Sequence, residues 1–296
     1  MAGRRFLLFP GRHLCLTRFH EQHFASLLQT PLHDLSWRDA PPPGFFSASS
    51  SLDWHIIFAI TSCNQPATCR FNPLPFHVRA IGCDRFARDL RTVSSSGPDL
   101  DWHHGHEARL RFSILGIPHY HPHTRFSSFV TQEIFEETGG SLSLSPENTV
   151  VLCGTEPVLD LYARDGFGTL PCELDRNVAY PQDVVAKIAA AGSERWQENA
   201  EVTDLLSAAS LSTFDDFPET VSALVSIFCE PLITDSGSLT TDRDYASYAL
   251  GMSNPHIMDT KMSEIRPFMP DTRSGRIVDE GCADGALLRL ISKEAP

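Results

Sequence analysis

Short apolar runs alternate with longer amphipathic stretches over the first two thirds of the chain. Residues 5–10, 54–61, 111–117 and 149–153 are apolar for only five to eight positions each and are bounded by turn formers, so they read as buried strands. Between them the apolar spacing lengthens to a helical period over residues 20–28, 76–90, 126–137 and 156–164, the last ended by Gly166. Pro41, Pro42, Pro43 and Gly44, and the Ser-rich patches at 47–51 and 94–96, predict loops. Strand–helix alternation of this kind predicts a parallel sheet covered on both faces.

From Pro181 the pattern turns helical, over 181–191, 201–206, 220–228 and 245–258. A strand at 276–278, a glycine-bearing loop at 279–285 and an apolar helix at 286–291 then begin another α/β unit. The expected class is α/β: a Rossmann-like parallel-sheet domain over 1–200, a helical linker over 201–240, and an incomplete second Rossmann-like unit over 241–296.

Charge narrows the partners. Twenty-four Lys and Arg against 37 Asp and Glu give a net charge of -13, which repels a polyanion, so no nucleic-acid partner is expected. No apolar run approaches the roughly 20 residues that span a bilayer. Arg4 and Arg5 precede only four apolar residues before Pro10, too few for a secretory signal. A cytoplasmic protein without membrane partners is expected. The eight cysteines form no C-x-x-C pair and read as reduced thiols. Histidines at 103, 104, 106, 119, 121 and 123 fall in loops with no completing Cys or carboxylate pattern, so no dedicated metal site is expected.

The chemistry-bearing segment lies between the first strand and the first helix: Gly11-Arg12-His13-Leu14-Cys15-Leu16-Thr17-Arg18-Phe19-His20. A parallel sheet binds nucleotides at this position, and a hydroxyl and an imidazole at a helix N-terminus offer donors to phosphate oxygens. The decapeptide resembles, without a gap, the G-R-F-x-P-x-(H/T)-x-G-H loop of the cytidylyltransferase-like nucleotidyltransferase superfamily, with Thr17 to His20 as its (H/T)-x-G-H signature.

The resemblance extends over about residues 4–200. It implies Thr17 and His20 as catalytic residues, and Gly11, Arg12, Asn72, Arg79, His119, Gly154 and Thr155 as nucleotide-binding ones. It also implies a nucleoside triphosphate with Mg²⁺, whose α-phosphorus an acceptor phosphate attacks as pyrophosphate leaves. Two positions depart from the pattern. Phe19 stands where the family has Gly, and Val185 where the late I-S-x-T-x-x-R motif has its Arg, with Lys187 as an alternative cation.

Residues 161–167 resemble the L-Y-x-x-x-G-F of acyl-CoA N-acetyltransferases. No pyrophosphate loop precedes them, so Tyr162 and Phe167 are expected to pack a helix on the sheet.

Residues 277–285 resemble motif I of class I S-adenosylmethionine-dependent methyltransferases, which implies Asp279, Gly281, Cys282 and Gly285 as cofactor-binding positions. Eleven residues follow Gly285, so S-adenosylmethionine is expected as cofactor of a complete domain only, and methyl transfer of a longer relative. Self-association through the apolar helix at 286–291 is a further expectation. Together these features predict a nucleotidyltransferase-like nucleotide-binding protein fused to a truncated methyltransferase domain, acting on a small-molecule or nucleotide substrate. A non-catalytic recognition module of a longer methyltransferase, and an inactive remnant, are the alternatives.

Overall fold

The computed structural model describes residues 5–47, 54–67, 70, 72–95, 110–119, 125–174 and 177–229. Five strands, β1 (Arg5–Gly11), β2 (Trp54–Thr61), β3 (Arg111–Ile117), β4 (Thr149–Cys153) and β5 (Gly168–Pro171), form one parallel sheet in the order β3-β2-β1-β4-β5. The strands are apolar at successive positions because both sheet faces are buried. Leu7, Phe9, Ile56, Phe58, Ile60, Val150 and Leu152 meet helices α1 (Arg18–Gln29) and α3 (Phe76–Ser95) through Phe24, Leu27, Phe86 and Leu90. On the other face Phe6, Leu8, Ile57, Ala59 and Val151 meet α4 (Phe126–Glu137) and α5 (Glu156–Arg164) through Val130, Ile134, Leu159 and Tyr162. This is a Rossmann-like α/β fold.

The turn-rich stretch before β2 contains a short helix, α2 (Pro43–Ser47), and β5 is a strand that the apolar pattern did not announce. Tyr162 and Phe167 pack ring to ring, 5.6 Å between centroids, inside the second core, as their apolar spacing leads one to expect. The segment before α2 closes the β5 edge, where Thr169 N–H donates to Asp39 O at 2.8 Å and Arg38 N–H to Thr169 O at 3.0 Å. An edge strand paired in this way offers no open ladder to another chain.

A third hydrophobic cluster corrects the expected domain boundary. Helices α6 (Pro181–Ala191), α7 (Ala200–Thr203), α8 (Ala208–Asp216) and α9 (Pro218–Cys229) do not form a linker after residue 200. Their Val184, Ile188, Val202 and Phe214, with Leu206 between α7 and α8, form one buried cluster with Leu14 and Cys15 of the loop after β1. Backbone pairing adds to the apolar contact: Ser207 N–H donates to Leu16 O, Arg18 N–H to Leu205 O, and Leu16 N–H to the Ser210 hydroxyl at 2.8 Å. The first compact unit therefore ends at Cys229, and a second runs from Glu230 to Pro296. That second unit lies outside the described residues, and with it the helix expected at 245–258 and the strand, loop and helix expected over 276–291. Among the described residues no helix is long and apolar enough to cross a membrane.

Candidate functional site

The strand order reverses between β1 and β4: from β1 the chain passes to β2 and β3 on one side, then returns to β4 and β5 on the other. In an open parallel sheet the crevice at this reversal, beyond the carboxyl ends of the strands, is where ligands bind. Backbone strain gathers along the same edge. His13, Ser62 and Glu173 are the non-glycine residues with positive φ among the described residues, at +48°, +58° and +58°, and they follow the ends of β1, β2 and β5 respectively. Such conformations cost free energy and persist where the surrounding structure over-determines them.

Thr17 caps α1 and His20 is its third helical residue, so the i, i+3 spacing turns the imidazole back toward the cap. Thr17 N–H donates to His20 Nδ1 at 3.0 Å, and the Thr17 hydroxyl lies 2.9 Å from the same nitrogen. A backbone N–H can only donate, so Nδ1 is an acceptor and the ring proton is on Nε2. The structure thus brings together the two residues singled out as catalytic. It also buries them, Thr17 to 2% exposure and His20 to 1%. The cause is the helical layer of α6–α9, since Thr17 pairs with Leu206.

Glu173, which follows β5, reaches the outer nitrogen of His20. Its Oε1 lies 3.1 Å from Nε2, yet outside hydrogen-bond geometry, so this buried oxygen has no directed donor. Its Oε2 rests against Gly154 at the end of β4, where a Cβ would stand 2.5 Å away. A side chain at Gly154 would displace this carboxylate and would also stand 3.0 Å from the Cys172 carbonyl, so the position is closely approached by the chain's own groups. Phe19 stacks on His23 with centroids 5.2 Å apart and presents its edge to His20 at 5.8 Å, so it braces the imidazoles from the helix side. Burial and the neighbouring His20 lower the His23 pKa, while Glu173 opposes that shift.

The remaining expected residues divide between the exposed edge of the sheet and the segments beneath it. Gly11 ends β1, Arg12 beside it is exposed, and Thr155 is exposed as the N-cap of α5, so these three line the open edge with Gly154. His119 stands after β3, where its ring meets the Ser62 hydroxyl at 3.1 Å and its N–H donates to Asn64 Oδ1 at 2.8 Å. Arg79 and Asn72 lie underneath. Arg79 is 2% exposed and donates to the carbonyls of Arg12, Thr61 and Ser62, and burial lowers its pKa to about 10. Asn72 Nδ2 donates to Pro66 O at 3.2 Å. Both side chains thus bond backbone carbonyls that shape the edge, while Asn72 Oδ1 and Arg79 Nε stay buried without a hydrogen-bond partner among the described residues. Val185 is fully buried in the helical layer and Lys187 is exposed.

His13, inside the decapeptide but not among the expected site residues, is buried behind the loop. Its Nε2–H donates to Phe9 O at 2.9 Å, and burial lowers its pKa to about 3, aided by the charge of Arg79. A cavity of about 10 Å³ lies between this loop, α3 and α8, space for a single water and far below the size of a nucleotide.

His20, Cys172 and Glu173 place three metal-ligand atoms within 4.8 Å of one another. A metal on Nε2 would require the ring proton on Nδ1, facing the Thr17 N–H that now donates there. The Cys172 thiol is also pushed well above its ordinary value by burial and by Glu173. The proton arrangement therefore favours an anion at Nε2 over a cation. Glu173 escaped the sequence because the four-residue strand before it carries too little apolar pattern. Had β5 been visible, the rule placing sites at strand carboxyl ends would have pointed to it.

Asp279, Gly281, Cys282 and Gly285 lie outside the described residues, as do the histidines at 103, 104, 106, 121 and 123. No protein-family model and no curated protein sequence matches the chain.

Proposed function

We propose that the first unit is a nucleotide-binding domain of nucleotidyltransferase type, with the phosphates at the carboxyl edge between β1 and β4. The observation that carries this reading is the proton assignment of His20: a cap that fixes Nδ1 as acceptor leaves Nε2–H as a donor on the side of the ring where Glu173 lies. Such a donor supplies charge stabilisation to a phosphate oxygen without moving a proton of its own. The N-termini of α1 and α5 face the same edge and favour negative charge there. Arg12 adds an exposed cation at the mouth, and Gly154 permits close approach. Mg²⁺ bound with the triphosphate would supply positive charge beside its oxygens. In the transfer step an acceptor phosphate attacks the α-phosphorus and pyrophosphate leaves, with no covalent intermediate on the chain.

A second reading, a recognition domain that binds a nucleotide without transferring it, is favoured by the burial of Thr17 and His20 and by the carboxylate against Nε2. Calorimetric titration of the full chain with Mg-ATP and Mg-CTP tests the shared claim. The wild-type chain is expected to bind one of them saturably. His20→Gln is expected to abolish binding, since a Gln at this helix position can still accept the Thr17 N–H yet offers no imidazole. Pyrophosphate release in the presence of phosphorylated acceptors supports transfer, and binding without release supports recognition. A folded wild-type chain that binds neither nucleotide overturns both.

A further inference from the structure

We propose that Glu173 is a built-in competitor for the phosphate position, a carboxylate of the chain held where the ligand's phosphate belongs, and that its displacement sets which anions the site accepts. This rests on the nucleotide-binding reading above and names a residue that the reading does not require.

Three independent features support it. The carboxylate occupies the notch formed by an imidazole and a glycine, with Oε1 3.1 Å from His20 Nε2 and Oε2 packed on Gly154. The backbone at Glu173 takes a left-handed φ of +58°, a conformation that glycine adopts at no steric cost, while aiming this carboxylate inward. The fit is also imperfect. Glu173 is about nine-tenths buried, and its Oε1 lacks a directed hydrogen bond, which leaves a buried acceptor unsatisfied. A group that is buried, strained and under-bonded is held by the absence of anything better, and a phosphate oxygen in line with Nε2–H makes the better bond.

Two anions cannot share this notch, because like charges at such separation repel strongly. The ligand must therefore expel Glu173 toward solvent, and a monoanionic carboxylate ligand gains nothing by the exchange. A multiply charged phosphate does gain, so the competitor biases the site toward di- and triphosphates. Glu173 is a specificity-determining residue here; no bond to it forms or breaks.

The test uses the full chain with inorganic pyrophosphate and Mg-ATP as probes, comparing wild type, Glu173→Gln, Glu173→Gly and His20→Gln by calorimetry, with thermal melting as the check on folding. Glu173→Gln keeps the volume and removes the charge. Glu173→Gly removes the side chain and relieves the positive φ, so it answers the question even where the Gln variant folds poorly. Both are expected to bind the probes about tenfold tighter or better, a change of roughly 1.4 kcal/mol. Adding His20→Gln to either is expected to abolish binding, as it does in the wild-type background. Wild-type binding that is unchanged or weakened by both Glu173 variants overturns the competitor and leaves the nucleotide site standing. Failure of every variant to bind either probe, or binding indifferent to His20→Gln, overturns the nucleotide site and the competitor with it.

Discussion

His13 shows how a single buried ring ties the site's loop to pH. Its folded-state pKa is lowered to about 3 by burial, against about 6.5 for an unfolded chain. Between these values the unfolded chain binds the proton and the folded one does not, so stability rises with pH through this window and is lost as pH falls from about 6.5 toward 3. The contribution approaches about 1.4 kcal/mol per pH unit. His13→Asn, which tolerates the positive φ, is expected to flatten the acid side of the melting-temperature profile; a profile of unchanged slope would assign the acid loss to other groups. The pairing of Thr17 with His20 was legible because an i, i+3 spacing at a helix start leaves the side chains little choice. The roles of Arg79 and Asn72 were not, since whether a guanidinium or an amide faces a ligand or a carbonyl depends on chain segments up to some sixty residues away.

At the scale of elements, four of the five strands stand at the positions the apolar pattern indicates; β1, β2 and β4 are buried on both faces and so apolar at successive residues, while β3 is a partly covered edge. The exception, β5, has only Leu170 and a threonine to bury, and its pairing comes from β4 on one side and the Asp39 segment on the other. Helix α8 was equally hidden. It begins at Ser207, whose hydroxyl accepts from Ser210 N–H, and its Ala-Ala-Ser-Leu-Ser-Thr run has weak periodicity. Its attachment to the site loop joins the apolar contact of Phe214 to one buried hydrogen bond. Ser210→Ala leaves the buried Leu16 N–H without an acceptor and is expected to cost about 1–3 kcal/mol, read as a lower denaturation midpoint with an unchanged m value. A cost below about 0.5 kcal/mol would mean that water replaces the hydroxyl, which the small cavity bordered by Ser210 could admit.

Across the molecule, the helices expected as a linker instead complete the first unit, and this changes what the site is. The loop after β1 is a sandwiched segment, with Leu16 in the sheet core and Leu14 and Cys15 in the helical core. A chain ending at residue 199 strips that cover and is expected to aggregate or melt well below one ending at residue 229; equal melting would contradict the assignment of α7–α9 to this unit. The sequence indicated where the carboxyl edge of the sheet lies, since strand, loop and helix in that order define it. It did not indicate that the cap helices and Glu173 would enclose it. The central claim, that His20 Nε2–H is the donor at a phosphate site, is tested most directly by the long-range ¹H–¹⁵N spectrum of the histidine rings as Mg-ATP is added to the full chain. The account predicts a His20 ring protonated at Nε2 in the free protein, with that resonance moving saturably on nucleotide addition while exposed His33 stays still. A His20 ring protonated at Nδ1, or one unmoved at saturating nucleotide, would contradict it.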